Sequence, residues 1–150
     1  MVIVSITNHE LHDRDFYAWT KETAQLLKEG KINEVDVMNI AEELEDMGIS
    51  NKRALISHIT VLLVHLLKCK YQAEKRGSSW ENTIERQRID IKDLIDESPS
   101  LKHQIEEKFN LAYKRARLDA STEMGIKKNA LPEICPFTLE QCLDEEFWPE

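Results

Sequence analysis

Glycine, proline and cysteine are all scarce in this chain of 150 residues, with four, four and three copies. So few turn-forming residues leave little material for the many tight turns of a β-sandwich or barrel. The cysteines (Cys69, Cys135, Cys142) form no CxxC pair and cannot all pair within one chain, which fits a reducing cytoplasm. Long apolar runs are also missing. The longest, Ile59 to Leu67, is about half the roughly 20 residues a membrane span requires, and it contains His65. The opening Met1-Val2-Ile3-Val4-Ser5-Ile6 has no basic segment ahead of its apolar one, so no secretory signal is expected. Glycine-rich phosphate loops and nucleophile elbows are absent, which removes the commonest signatures of nucleotide binding and acyl transfer.

What the chain does have is charge, 32% of its residues, and 41% hydrophobic residues, a balance suited to a globular protein and too apolar for disorder. The net charge of −8 is segregated. Glu10 to Ile49 carries 11 acids and 4 bases, and Ser50 to Lys92 carries 9 bases and 4 acids. Asp93 to Asn129 is balanced, and Ala130 to Glu150 has six acids and no base. Acidic segments around a basic middle are most simply read as neutralising one another in the fold. The alternative is a basic surface offered to phosphate or to an acidic partner.

Helical periodicity dominates, and no segment alternates convincingly with period two. A first helix is expected from Asp13 to Glu29, with Phe16, Trp19, Thr20, Thr23, Leu26 and Leu27 on one face. A second runs from Val35 to Met47, with Val37, Ile40, Ala41, Leu44 and Met47 on its core side and Gly48 as its cap. Ser50 is read as the N-cap of a third, reaching Gln72, whose stripe is Leu55, Ile56, Ile59, Leu63, Leu66 and Leu67. Val61, Leu62 and Val64 make this helix apolar over most of its circumference, the signature of a central helix. A capping box at Ser78 to Glu81 opens the fourth, running from Ser79 to Asp96. Ser98-Pro99 starts a fifth, which ends at Gly125 and carries Ala112, Ala116 and Ala120 for close packing. Thr138 to Gln141 is a second capping box, opening a short sixth helix. The expected fold is therefore an all-α bundle of five main helices plus a short C-terminal one. It forms a single domain over residues 10–150 with a lead-in over residues 1–9.

Several blocks then form an ordered set. Asp15-Phe16-Tyr17-Ala18-Trp19, Ala41 to Gly48 (AEELEDMG) and His65-Leu66-Leu67-Lys68 come first. Tyr71-Gln72, Ser79-Trp80, Gln87-Arg88, Pro99-Ser100-Leu101, Ala112-Tyr113, Cys135-Pro136-Phe137-Thr138, Glu140-Gln141 and Phe147-Trp148-Pro149-Glu150 follow. This set resembles the bacterial domain-of-unknown-function family 29, from roughly Glu10 to Glu150. Departures are Cys69, where the family commonly has tryptophan, and Trp148, where leucine is common. The resemblance implies an intracellular, all-α bacterial domain without an established activity, cofactor or catalytic residue.

Three groupings of residues carry chemical interest. His58, His65 and Cys69 share one side of the third helix, and the last two have a metal-ligand spacing. The set is incomplete, so the favoured reading is two partly buried histidines and an inert thiol, with no metal or other cofactor. On the fourth helix, Gln87 and Arg88 project into the apolar stripe of Trp80, Ile84, Ile91, Leu94 and Ile95, while Arg86 points elsewhere. A guanidinium there requires a partner, and Glu43 or Glu45 is the natural carboxylate. The sharper alternative is a ligand or catalytic pocket in which Glu43, His65 and Arg88 converge. Finally, Lys68, Lys70, Lys75, Arg76, Arg86 and Lys92, with Tyr71 and Trp80 interleaved, have the composition of a single-strand nucleic-acid surface, though a solvated basic face is the simpler reading. The acidic tail before Phe147-Trp148 is either a docking peptide or a segment folded back on the bundle. Taken together, these features favour a non-enzymatic protein-interaction or regulatory module with a protein partner and no membrane. The alternatives are a ligand-binding protein or enzyme built on Glu43, His65 and Arg88, and a nucleic-acid module built on the basic segment.

Overall fold

Thr7 begins the regular structure by capping α1 (Asn8–Arg14), its hydroxyl accepting from Glu10 N and its own N–H donating to the Glu10 carboxylate. The structure, a computed structural model, describes residues 6–150. The apolar opening read against a secretory leader lies, for Met1 to Ser5, outside the described residues. The helices that follow are α2 (Phe16–Lys28), α3 (Val37–Tyr71), α4 (Ser78–Glu97), α5 (Ile105–Met124) and α6 (Leu139–Leu143). The fold is all-α, and no strand occurs among the described residues. Five main helices and one short one result, but the chain is partitioned differently from the expectation.

The expected first helix is two. Asp15, with φ −150° and ψ 87°, interrupts it and caps α2 by accepting from Ala18 N at 3.1 Å. α1 opens at Asn8, within the expected lead-in. The expected second and third helices are one, α3, which runs through both Gly48 and Ser50. Gly48 has no positive φ and so is no left-handed cap. A single glycine inside a helix costs only about 1 kcal/mol relative to alanine, which the long apolar ladder around it readily outweighs. α4 is capped by Gly77 without a side-chain bond, because Ser78 is already helical and Glu81 accepts from Arg76 Nε at 3.1 Å instead. Pro99 opens a 3-10 turn, Pro99–Lys102, and α5 begins only at Ile105. The buried Lys108 ammonium explains the delay, since it binds the carbonyls of Leu101 (2.7 Å) and His103 (2.8 Å) and so stabilises the turn. α5 does end at a left-handed Gly125, and Thr138 does form its capping box.

The chain divides into two compact units after Ile49. In the second, Ser50–Glu150, the α3 residues Leu55, Ile59, Leu62, Leu63, Leu66 and Leu67 are fully buried. They share one core with Ile84 and Ile91 of α4 and with Ala112, Ala116 and Ala120 of α5. All three alanines are fully buried in it. By length and composition an 18-residue window of α3 passes as a membrane span, but 56% of it is buried inside the protein, as in a core helix. Among the described residues of the first unit only Trp19 and Thr23 are buried. There the ordering is polar: Asn8 accepts from the Trp19 indole (3.2 Å) and from Asp36 N (2.9 Å), and donates to Thr23 Oγ1 (3.0 Å).

Candidate functional site

Glu43 belongs to this polar framework. Its carboxylate accepts from His12 Nε2 at 2.9 Å, and the imidazole stands edge-on to Trp19 with centroids 4.7 Å apart. The Glu43 bond, then that to Asp13, raises His12 above the ordinary imidazole value against the opposing effect of burial. His9 is paired likewise with Asp36, whose other oxygen accepts from Asn39 N to cap α3. His9, His12, Asn8 and Asp36 were not singled out in the sequence. The only local signal was the amide and acids placed at helix starts.

Beside this framework, several large apolar side chains of the first unit are exposed among the described residues. Val37, Met38, Leu44 and Met47 are 57%, 72%, 61% and 63% exposed. Phe16, Tyr17, Leu27 and Ile32 are exposed as well. The stripe Val37, Leu44 and Met47, read from its periodicity as a core face, is thus a correction. Periodicity reports that these side chains share a side of the helix, not that anything lies against it.

In the second unit Arg88 is buried, at 4% exposure, and Arg86 is exposed, as the helical projection required. The acceptors of Arg88 among the described residues are backbone carbonyls, where the sequence suggests the carboxylate of Glu43 or Glu45. Arg88 Nε donates to the Cys142 carbonyl at 2.7 Å and Nη2 to that of Phe147 at 2.8 Å. Nη1 is buried with no acceptor. Carbonyl oxygens substitute for a carboxylate because they carry the acceptor lone pairs the guanidinium needs, and those of Cys142, in the last turn of α6, and Phe147, beyond it, lie where no further helical N–H follows to bond them. Burial lowers the Arg88 pKa, opposed by the nearby Cys142, Asp144 and Glu145.

The same contacts hold the acidic tail against the basic segment. Trp148 receives the Arg76 guanidinium 4.7 Å and that of Arg88 5.4 Å from its ring centre, and Lys70 Nζ donates to the Glu150 carbonyl at 3.4 Å. Lys68 lies 4.6 Å from the centre of Trp80. Of the basic residues whose composition suited a nucleic-acid surface, Lys70 and Arg76 are engaged by the protein's own tail. The tail folds back, with Phe147 and Trp148 packed on the core and Pro149 buried.

A family model, Domain of unknown function DUF29, matches residues 11–148. The chain belongs to this family. No curated protein and no solved structure matches it.

The remaining candidates in this DUF29 chain have partners of their own. His65, half-buried, donates from Nδ1 to the Val61 carbonyl one turn back, at 2.9 Å. It lines an open, mainly apolar groove of about 550 Å³ with Val61, Val64 and Leu118. His58 donates to Gln87 Oε1 at 2.6 Å, which accounts for the polar Gln87 in the stripe of α4. Cys69 is buried, and burial pushes its thiol pKa up, away from the thiolate that ligates metals. Among the described residues no three histidine, cysteine or acidic side chains are grouped to hold a metal ion. Glu43, His65 and Arg88 therefore bind, respectively, an imidazole, a backbone carbonyl of the same helix and two carbonyls of the tail. His65 and Arg88, both in the second unit, share no hydrogen bond among the described residues.

Proposed function

We propose that this DUF29 protein is a non-enzymatic protein-interaction module whose partner covers the apolar face of its first unit. The observation that carries this reading is the exposure of Val37, Leu44 and Met47, which share one side of α3. Large apolar side chains that share one side of a helix have the anatomy of a helix-in-groove anchor rather than of scattered surface residues. The engagement of Glu43, His65 and Arg88 with separate partners supports a binding role over general acid–base chemistry.

The test compares capture by the wild-type chain with capture by Leu44→Glu/Met47→Glu, using photo-crosslinking from the exposed position of Ala41 on the same side of the helix. Both side chains are more than half exposed, so the helical circular dichroism and thermal midpoint are expected to persist. A crosslinked protein obtained with the wild type and lost with the variant is the expected result. Identical crosslinks from both proteins would overturn the reading.

A further inference from the structure

We propose that the hollow between α5 and the connection 128–135 binds a small phosphorylated molecule, its phosphate groups held by Lys114, Arg117 and Lys128. The hollow has a volume of about 600 Å³, within the range of small-ligand sites. Tyr113 and Arg117 are one helical turn apart, and both fasten the connection that forms the opposite wall. Tyr113 donates its hydroxyl to the Pro132 carbonyl, while Arg117 directs Nε and Nη2 to the Leu131 carbonyl at 3.2 and 3.0 Å. These bonds fix the guanidinium by one edge. A guanidinium has five N–H donors, so those on Nη1 remain for an anion.

Lys114 and Lys128 line the same hollow, and neither ammonium has a hydrogen bond or ion pair among the described residues. Three cations therefore face one lining carboxylate, Glu133, in a chain whose net charge is −8. This local reversal of sign is what a concave anion site requires. A planar fork flanked by two mobile ammonium groups suits the several oxygens of a phosphate or diphosphate. Ile134, at the rim, is 84% exposed and offers an apolar surface to the uncharged part of such a ligand. The hollow is built for binding and not for covalent chemistry. Cys135, its one thiol, has its pKa pushed up to about 11 by burial, and the Tyr113 hydroxyl is committed to a carbonyl.

Inorganic pyrophosphate is the probe, titrated into the full chain at constant ionic strength by calorimetry, with amide chemical shifts followed in parallel. Saturable binding is expected, with shifts confined to residues 110–117 and 128–135. Lys114→Ala/Lys128→Ala should weaken it by roughly tenfold or more, since each lost ion contact to phosphate is worth a sizeable part of 1.4 kcal/mol or more. Both lysines are exposed, so the variant should keep its thermal midpoint and its fold. A response that does not saturate, or an equal affinity in the double variant, would overturn the proposal. So would a single-stranded oligonucleotide that binds these residues more tightly than pyrophosphate, because an extended polyanion would then be the ligand.

Discussion

The guanidinium of Arg88 lies 5.4 Å from the centre of the Trp148 ring while two of its nitrogens hold the carbonyls of Cys142 and Phe147. One buried side chain of α4 thereby fixes both the end of α6 and the aromatic tail that follows it. The arrangement joins a cation–π contact to two charge-assisted hydrogen bonds.

Arg88 should consequently matter far more to stability than Arg86. Arg88→Ala removes packing and leaves two carbonyls without a donor, and should cost about 2–4 kcal/mol. Arg86→Ala, on the exposed side, should cost about 0.5 kcal/mol or less. Denaturant melts of the two variants measure the difference, and equal losses would contradict the face assignment of α4.

Release of the tail should be visible in thiol chemistry. All three cysteines are free, with Cys69 and Cys142 buried and Cys135 half-buried. The native chain should titrate as free thiols without a Cys135–Cys142 bridge, Cys135 reacting first. Trp148→Ala removes the ring that Arg76 and Arg88 share, so labelling of Cys142 should accelerate while that of Cys69 changes little. Mass spectrometry of quenched labelling reactions reads each site separately.

Gly48 distinguishes one helix from two. A Cβ built there meets nothing within 4 Å, and its φ is not positive. Gly48→Ala should therefore stabilise the protein by about 0.5–1 kcal/mol, through helix propensity and a less flexible unfolded chain. Gly125, with φ +68°, should respond oppositely, Gly125→Ala costing about 1 kcal/mol. If Gly48 were a left-handed cap, both substitutions would destabilise.

The histidines of the first unit should make its stability fall with rising pH. Glu43 raises the folded-state pKa of His12 above 6.5, and Asp36 does the same for His9. A raised folded value means that the folded state holds the proton more tightly than the unfolded one. The added stability is fully present below 6.5 and is lost as pH rises through the folded values. Imidazole titration by NMR should place the His12 midpoint above 6.5, and Glu43→Gln should return it towards 6.5. A wild-type midpoint at or below 6.5 would remove the ion pair from the account.

The sequence by itself determined the all-α class, the central apolar stretch from Leu55 to Leu67, the caps at Gly125 and Thr138, and the burial of Arg88 on the face away from Arg86. These properties are local: the direction of a side chain on a helix follows from residue spacing, and a cap from a few neighbouring atoms. Where local signals competed, tertiary structure decided. Gly48 and Ser50 carry the marks of a helix boundary, yet α3 passes through them, while Asp15 breaks a stretch whose apolar spacing is unbroken. The acceptors of Arg88 lie 54 and 59 residues further along the chain and are backbone carbonyls, which every residue possesses and no sequence pattern marks. The stripe of Val37, Leu44 and Met47 carries the same periodic signature as that of Leu55, Ile59 and Leu66. One is exposed and the other buried because burial depends on what the rest of the chain brings against a face, and helical spacing contains no record of that.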